Sequence, residues 1–360
     1  MGRLGISVYP EHTTAEEDFR YIKKAAECGF LRVFTCLISA EGDLEEITTR
    51  YKKTNEYAQS LGMEVVLDIA PSVFQKFGID HNNLKPFYDM GANGIRLDED
   101  LPANEEAEMT YNPYGLKVEL NASQGTKHID YILSYAANKD RLISCHNFYP
   151  QKYTALSLSH FHLCNEIMKA QNIPIAAFVT SQNTNTFGPW PVNEGLCTLE
   201  MHRDLPIDVQ ARHLLAMGEV DDIIIGNAFA TDAELEALSQ LTDGKLTLKI
   251  VPEQENLPVE DEIIYKFSHH VRGDMGDYMA RSTFSRITYA NADIPPKNTR
   301  DVKRGDVVVL NNEYGRYKGE LHIVLQDMKN DGNKNVVGKI PENEHMLLSY
   351  LAPWRPFKLI

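Results

Sequence analysis

Hydrophobic positions in the first two thirds of the chain switch repeatedly between two periods. Amphipathic helical stretches end in turn signals such as Gly29, Gly62 and Gly91, and short runs with an aliphatic residue at every second position follow. The pattern predicts strands over Leu4–Pro10, Leu31–Ile38, Met63–Pro71, Ala92–Asp98, Leu116–Ala122, Leu142–Tyr149, Ile173–Ser181 and Asp222–Asn227. Strand and helix alternate about eight times before Thr231, which fits an α/β chain closed into a (β/α)8 TIM barrel. A doubly wound open sheet would alternate too, but no Gly-rich phosphate fingerprint follows the first strand. Closure is expected, and such barrels place their chemistry at the C-terminal strand ends.

Successive strand residues face opposite sides, so one parity meets the helices and the other enters the barrel. Ile95 and Leu97 alternate with Arg96, Asp98 and Asp100; Val118 and Leu120 alternate with Lys117, Glu119 and Asn121; Leu67 and Ile69 alternate with Val66, Asp68 and Ala70. Ser7, Tyr9 and Glu11, and then Ser144, His146 and Phe148, extend the inward set. With the aliphatic parity against the helices, the interior carries many charges. Lys117, Glu119 and Arg96 alone would make a buried structural ion network. The whole set is harder to bury unless its members are paired or serve a site, because unpaired buried ions cost several kcal/mol each.

The pattern changes after a helix over Ala233–Leu241. Lys245–Val251 reads as a strand and Pro252–Pro258 as a linker, and Asp306–Leu310, Leu321–Gln326 and Val336–Ile340 are β-like with tight turns between them. A barrel domain over 1–244 and a small mostly-β barrel domain over 245–360 are expected, since 360 residues exceed the usual single-domain size. The net charge of −15 argues against nucleic acid or an anionic membrane surface as partner, though a local cationic cluster would still take a small anion. No apolar run follows Met1, so neither a signal peptide nor a membrane span is expected. Cys28, Cys36, Cys145, Cys164 and Cys197 are odd in number and lack a CxxC, as free thiols of a cytoplasmic protein would be.

Between Gln182 and about Asp221 lies a long connection rich in candidate chemistry. Trp190 is either a platform for a sugar ring or a pin for the loop, Glu194 and Glu200 are carboxylates, and His202-Arg203 offers adjacent cations for a phosphate or carboxylate. Metal ligation is not expected: His160, His162 and Cys164 do not share one helix face, and His269-His270 has no second pair nearby. No Gly-x-Ser-x-Gly elbow is present.

Taken together, Gly5-Ile6-Ser7-Val8-Tyr9-Pro10-Glu11, Arg32-Val33-Phe34-Thr35, Ile95-Arg96-Leu97-Asp98, His146-Asn147-Phe148-Tyr149-Pro150, Glu194-Gly195-Leu196 through His202-Arg203, and Arg316-Tyr317-Lys318-Gly319-Glu320-Leu321 resemble the 6-phospho-N-acetylmuramidases of bacterial cell-wall recycling. The resemblance runs nearly end to end. It implies a cytoplasmic glycosidase acting on the disaccharide MurNAc-6-phosphate–GlcNAc without a cofactor, and a cyclophilin-like C-terminal domain. Two anionic groups on one sugar would call for cations on two sides. Arg96, Arg203, His146 and His202 are candidates for one set, with Asn121 and Asn147 beside them; Arg281, Ser282, Tyr317 and Lys318 are candidates for the other, if the second domain caps the barrel.

Hydrolysis needs a carboxylic acid and a second group to stabilise an oxocarbenium-like centre. Strand seven ends Thr180-Ser181-Gln182, so the common plan of carboxylates on strands four and seven does not apply. Asp98 and Glu119 are the first candidates, followed by Asp68, Glu11 and Asp100; the 2-acetamido group of the sugar is an alternative internal nucleophile. Two rival readings stay open. One is a phosphosugar isomerase, epimerase or aldolase using Lys117 as a Schiff base, and the other is a non-catalytic phosphosugar-binding protein. Oligomeric state is left open.

Overall fold

The structure is a computed structural model that describes residues 2–241 and 244–360. Eight parallel strands close into a barrel in sequence order: β1 (Arg3–Ser7), β2 (Arg32–Cys36), β3 (Glu64–Ile69), β4 (Gly94–Leu97), β5 (Lys117–Asn121), β6 (Leu142–Cys145), β7 (Ile175–Val179) and β8 (Asp222–Ile225). β8 pairs with β1 in register Gly5 to Ile224, which closes the ring. Helices stand between the strands: α1 (Ala15–Glu27), α2 (Leu44–Ser60), α3 (Pro71–Phe77), α4 (Lys85–Asp89), α5 (Ala103–Met109), α6 (His128–Ser134), α7 (Leu158–Ala170), α8 (Ile207–Met217) and α9 (Asp232–Ser239). Side chains start several of them. Thr14 and Thr231 build capping boxes with Glu17 and Glu234, and Asp43 and Ser157 accept from the first-turn amides of α2 and α7.

Contacts divide the described residues into a barrel unit, 2–214 with 218–241, and a C-terminal unit, 215–217 with 244–360. The expected boundary at 244/245 follows residues 242–243, which lie outside the described residues, as does Met1. In the C-terminal unit β9 (Leu246–Leu248), β10 (His269–His270) and β15 (Pro356–Leu359) form one sheet in the order β10-β15-β9. β11 (Met279–Ser282), β12 (Asp306–Leu310), β13 (Leu321–Val324) and β14 (Lys334–Lys339) form another in the order β11-β13-β12-β14. The strands expected here thus assemble as two small sheets. Leu248, Ile263, Val271, Val307, Ile323, Leu347 and Phe357 share their buried core. Among the described residues no helix is long and apolar enough to cross a membrane.

Strand pairing sets which residues enter the barrel, because lateral partners face the same side. Asp68 pairs laterally with Cys36 and with Arg96, and Arg96 with Glu119. The expected inward parity of β3, β4 and β5 is therefore the observed one. On β6 it is reversed: Glu119 pairs with Ile143 and Asn121 with Cys145, so Ser144 and His146 face the helices. The cause is the apolar waist of the barrel, where Tyr9, Phe34, Cys36, Cys145, Ala176, Phe178 and Ile224 pack together. At that level the inward residue is the apolar one.

Candidate active site

Charges inside the barrel form two groups. At the N-terminal strand ends Arg3 donates to Asp222 at 2.9 and 2.6 Å and to Glu64 at 2.5 Å, and Lys117 reaches Glu64 at 2.7 Å. Arg32 is fully buried; it reaches Asp222 at 3.0 Å and also donates to Glu119. Burial alone would raise the pKa of Glu64 and Asp222, but bonds from Lys117 and Arg3 to the first, and from Arg3 and Arg32 to the second, hold both below the usual carboxylate value. Glu119, a first candidate for catalysis, belongs to this network and has no exposed surface. Lys117 is the first residue of β5, at the end away from the strand C-termini, which removes the support for a Schiff-base role.

At the C-terminal strand ends a cleft of about 120 Å³ is lined by Phe34, Ile38, Asp68, Arg96, Asp98, Asn147, Phe148, Pro150, Phe178 and Trp190. One nitrogen organises its polar side. Arg96 Nη1 donates to Asp68 Oδ1 at 2.5 Å and to Asp98 Oδ1 at 2.9 Å, while Nη2 donates to Asn147 Oδ1. The two carboxylate oxygens can be no further apart than the sum of those two distances. Burial pushes the Asp68 carboxyl up to about 6, and the nearby Asp98 adds to the rise that the Arg96 charge opposes. Asp98 differs in being 40% exposed at its side chain. Asn121 donates to the Asp98 carbonyl at 3.0 Å and caps Ser123 N at 2.9 Å, so it fixes the turn that carries Asp98.

The wall bearing Pro150 and Trp190 is built by Arg203. Its guanidinium is nearly buried and donates to both oxygens of Glu200 and to the carbonyls of Tyr149, Glu194 and Gly195. Glu200 in turn accepts from Tyr153 N at 2.9 Å and Ala155 N at 3.0 Å. The bonds from Arg203, joined by these amides, hold its carboxyl down at about 2. Glu194 is exposed and accepts from Lys152 N at 3.0 Å. The long connection passes so close to the end of β8 that a Cβ on Gly226 would lie 2.3 Å from the Leu196 carbonyl oxygen.

Several expected site residues lie elsewhere. His146 is buried against Phe161 and bonds Asn165 at 2.8 Å and Ser123 at 3.2 Å; burial pulls its pKa down to about 4, so it is a neutral packing residue. His202 is buried against His213 at 2.7 Å, and burial with that neighbour holds it well below its ordinary value. Neither offers a cation to the cleft, and the donors of Arg203 go to the loop. Glu11 accepts from Ser39 and Tyr51, each at 2.6 Å, and Ser7 is buried beneath the mouth; neither lines the cleft. Exposed Asp100 stands with Glu106 and His128, their ligand atoms all within 4.8 Å. Glu106 accepts from Leu101 N at 2.7 Å and contacts His128 at 2.8 Å, which ties α5 to α6.

In the C-terminal unit Arg281 bonds the backbone and carboxylate of Asp274, and Ser282 is buried on His269 at 2.9 Å. Tyr317 lies under the guanidinium groups of Arg286 and Arg316, and Lys318 follows it in the same turn. The apolar lining of the cleft, Phe34, Ile38 and Phe178, was not expected as site. Its signal was present in the inward parity of β2 and β7, but aromatic residues there read equally as core.

A closed parallel barrel that holds a protonatable buried carboxyl and an accessible carboxylate at its strand C-termini has the layout of a barrel enzyme equipped for acid–base chemistry. Comparison with known proteins gives the family. Residues 4–240 match the N-terminal and residues 246–360 the C-terminal family of 6-phospho-N-acetylmuramidase, and the chain belongs to this family of glycosidases. The chain is 47% identical to an uncharacterized protein of B. cereus of known structure, over 100% of both chains with a TM-score of 0.93. It is also similar to a conserved protein of unknown function from a locus in Enterococcus faecalis, at 25% identity over 100% of this chain and 96% of that one, with a TM-score of 0.76. No curated protein matches the chain.

Proposed function

We propose that the protein hydrolyses the β-1,4 bond of MurNAc-6-phosphate–GlcNAc in the cytoplasm, during cell-wall recycling, with Asp68 as general acid and Asp98 as the carboxylate facing the reacting carbon. The reading rests chiefly on one observation: Arg96 Nη1 holds both carboxylates, one with a pKa near neutrality and one accessible. An acid protonated near pH 6 can give its proton to the leaving oxygen, while an ionised neighbour stabilises the positive charge that develops.

A shared nitrogen favours the close class of carboxylate pair, about 5–5.5 Å apart, over the roughly 6.5–9.5 Å that leaves room for a water. Retention follows, with Asp98 acting as nucleophile or orienting the substrate's acetamide. Trp190 and Phe148 offer faces to the sugar rings, and Asn147 fixes Arg96 from the far side. The barrel domain over 1–244 does this chemistry, and the cyclophilin-like description is kept for 245–360. Incubation with MurNAc-6-phosphate–GlcNAc and with its unphosphorylated form tests the reading. GlcNAc is released from the phosphorylated disaccharide only; release from both, or from neither, refutes it.

A further inference from the structure

The C-terminal unit has an open cavity of its own, of about 540 Å³, with Arg272, Arg286, Phe284, Ile287 and Trp354 on its walls. Trp354 is 64% exposed and is held at φ 65°, a region that bulky side chains seldom occupy. Its indole lies flush with Gly273, where a Cβ would come within 2.5 Å of the ring. Phe284 and Ile287 are also exposed, so three large apolar side chains border one cavity. Arg272 gives Nε to Asp274, and Arg286 gives Nη1 to Glu320 and lies 5.3 Å from the Tyr317 ring centre. The remaining guanidinium nitrogens of both have no protein partner among the described residues. Asp274 also lines the cavity, so each arginine is matched by one carboxylate, but both keep unused nitrogens: this is an aromatic-walled cavity with directional donors to spare.

We propose that this cavity is a second ligand site, for a pyranose bearing one anionic group. The apolar face of the ring stacks on Trp354, and the carboxylate or phosphate takes the open donors of Arg272 and Arg286. The inference does not depend on the chemistry assigned to the barrel.

The chain has two tryptophans, Trp190 in the barrel cleft and Trp354 here, so Trp190→Phe in the full-length protein leaves Trp354 as the only indole reporter. N-acetylmuramic acid and N-acetylglucosamine 6-phosphate are titrated against it, with N-acetylglucosamine and inorganic phosphate as controls. We expect a saturable change in emission with at least one anionic sugar, and which one responds identifies the anion. Arg272→Ala then weakens binding about tenfold, as loss of a charge-assisted bond does. Gly273→Ala displaces the indole and abolishes the response. The proposal is overturned if no anionic sugar responds, if N-acetylglucosamine or phosphate alone responds equally well, or if affinity is unchanged in Arg272→Ala. GlcNAc release reports on the barrel alone, so failure here and failure of the glycosidase reading are separately visible.

Discussion

Two polar clusters occupy one barrel, and they differ in how their charges are compensated. At the base, Arg3, Arg32 and Lys117 meet Glu64, Glu119 and Asp222, and strong pairing lowers the pKa of Glu64 and Asp222. At the mouth a single cation, Arg96, serves two aspartates, and one of them stays protonatable near neutral pH. Three cations matched to three carboxylates suit a scaffold. Incomplete compensation leaves a proton that can be delivered, which is what an acid catalyst needs.

The largest expected effect comes from the mouth. Asp98→Asn and Asp68→Asn each lower kcat by about 10²–10⁴-fold with the far-ultraviolet circular dichroism spectrum unchanged, the scale of a lost acid or charge stabiliser. Near-normal kcat in either would remove that residue from the mechanism. At the base the loss falls on stability and not on rate. Arg32→Met strands the buried Glu119 carboxylate and lowers unfolding free energy by about 3–5 kcal/mol in urea titration, while kcat per folded molecule is retained. A kcat loss like that of Asp68→Asn would erase the distinction between the clusters.

The smallest effect is in pH dependence. Because the raised pKa of Asp68 lies near 6, its protonated fraction falls about tenfold for each unit above that value, and kcat/KM falls with it. Below pH 6 this group imposes no further loss. A rate that instead rose through pH 6 would make Asp68 the base rather than the acid.

Much of the barrel was legible because its signal is local: alternation within a strand and a glycine before it. All eight predicted strands overlap observed ones. Depth was harder to read, since tilted strands place lateral neighbours at different heights. Asp68, Arg96 and Glu119 are consecutive lateral partners, yet Glu119 pairs with Arg32, the first residue of β2, while Asp68 opens to the mouth. Polarity marked the inward face only where the interior is polar, so β6 was read on the wrong side and His146 with it. Arg203 and His202 misled for a related reason. A cation in a long loop has the same letter in sequence whether it meets a ligand or five acceptors of its own chain.

That use of Arg203 bears on how tightly a sugar can be held. By tying Tyr149, Glu194, Gly195 and Glu200 together through bonds within the chain itself, it immobilises a connection that would otherwise have to become ordered when substrate arrives. The entropy lost in ordering that wall falls on folding, and the contacts made by Trp190 are left to appear as affinity.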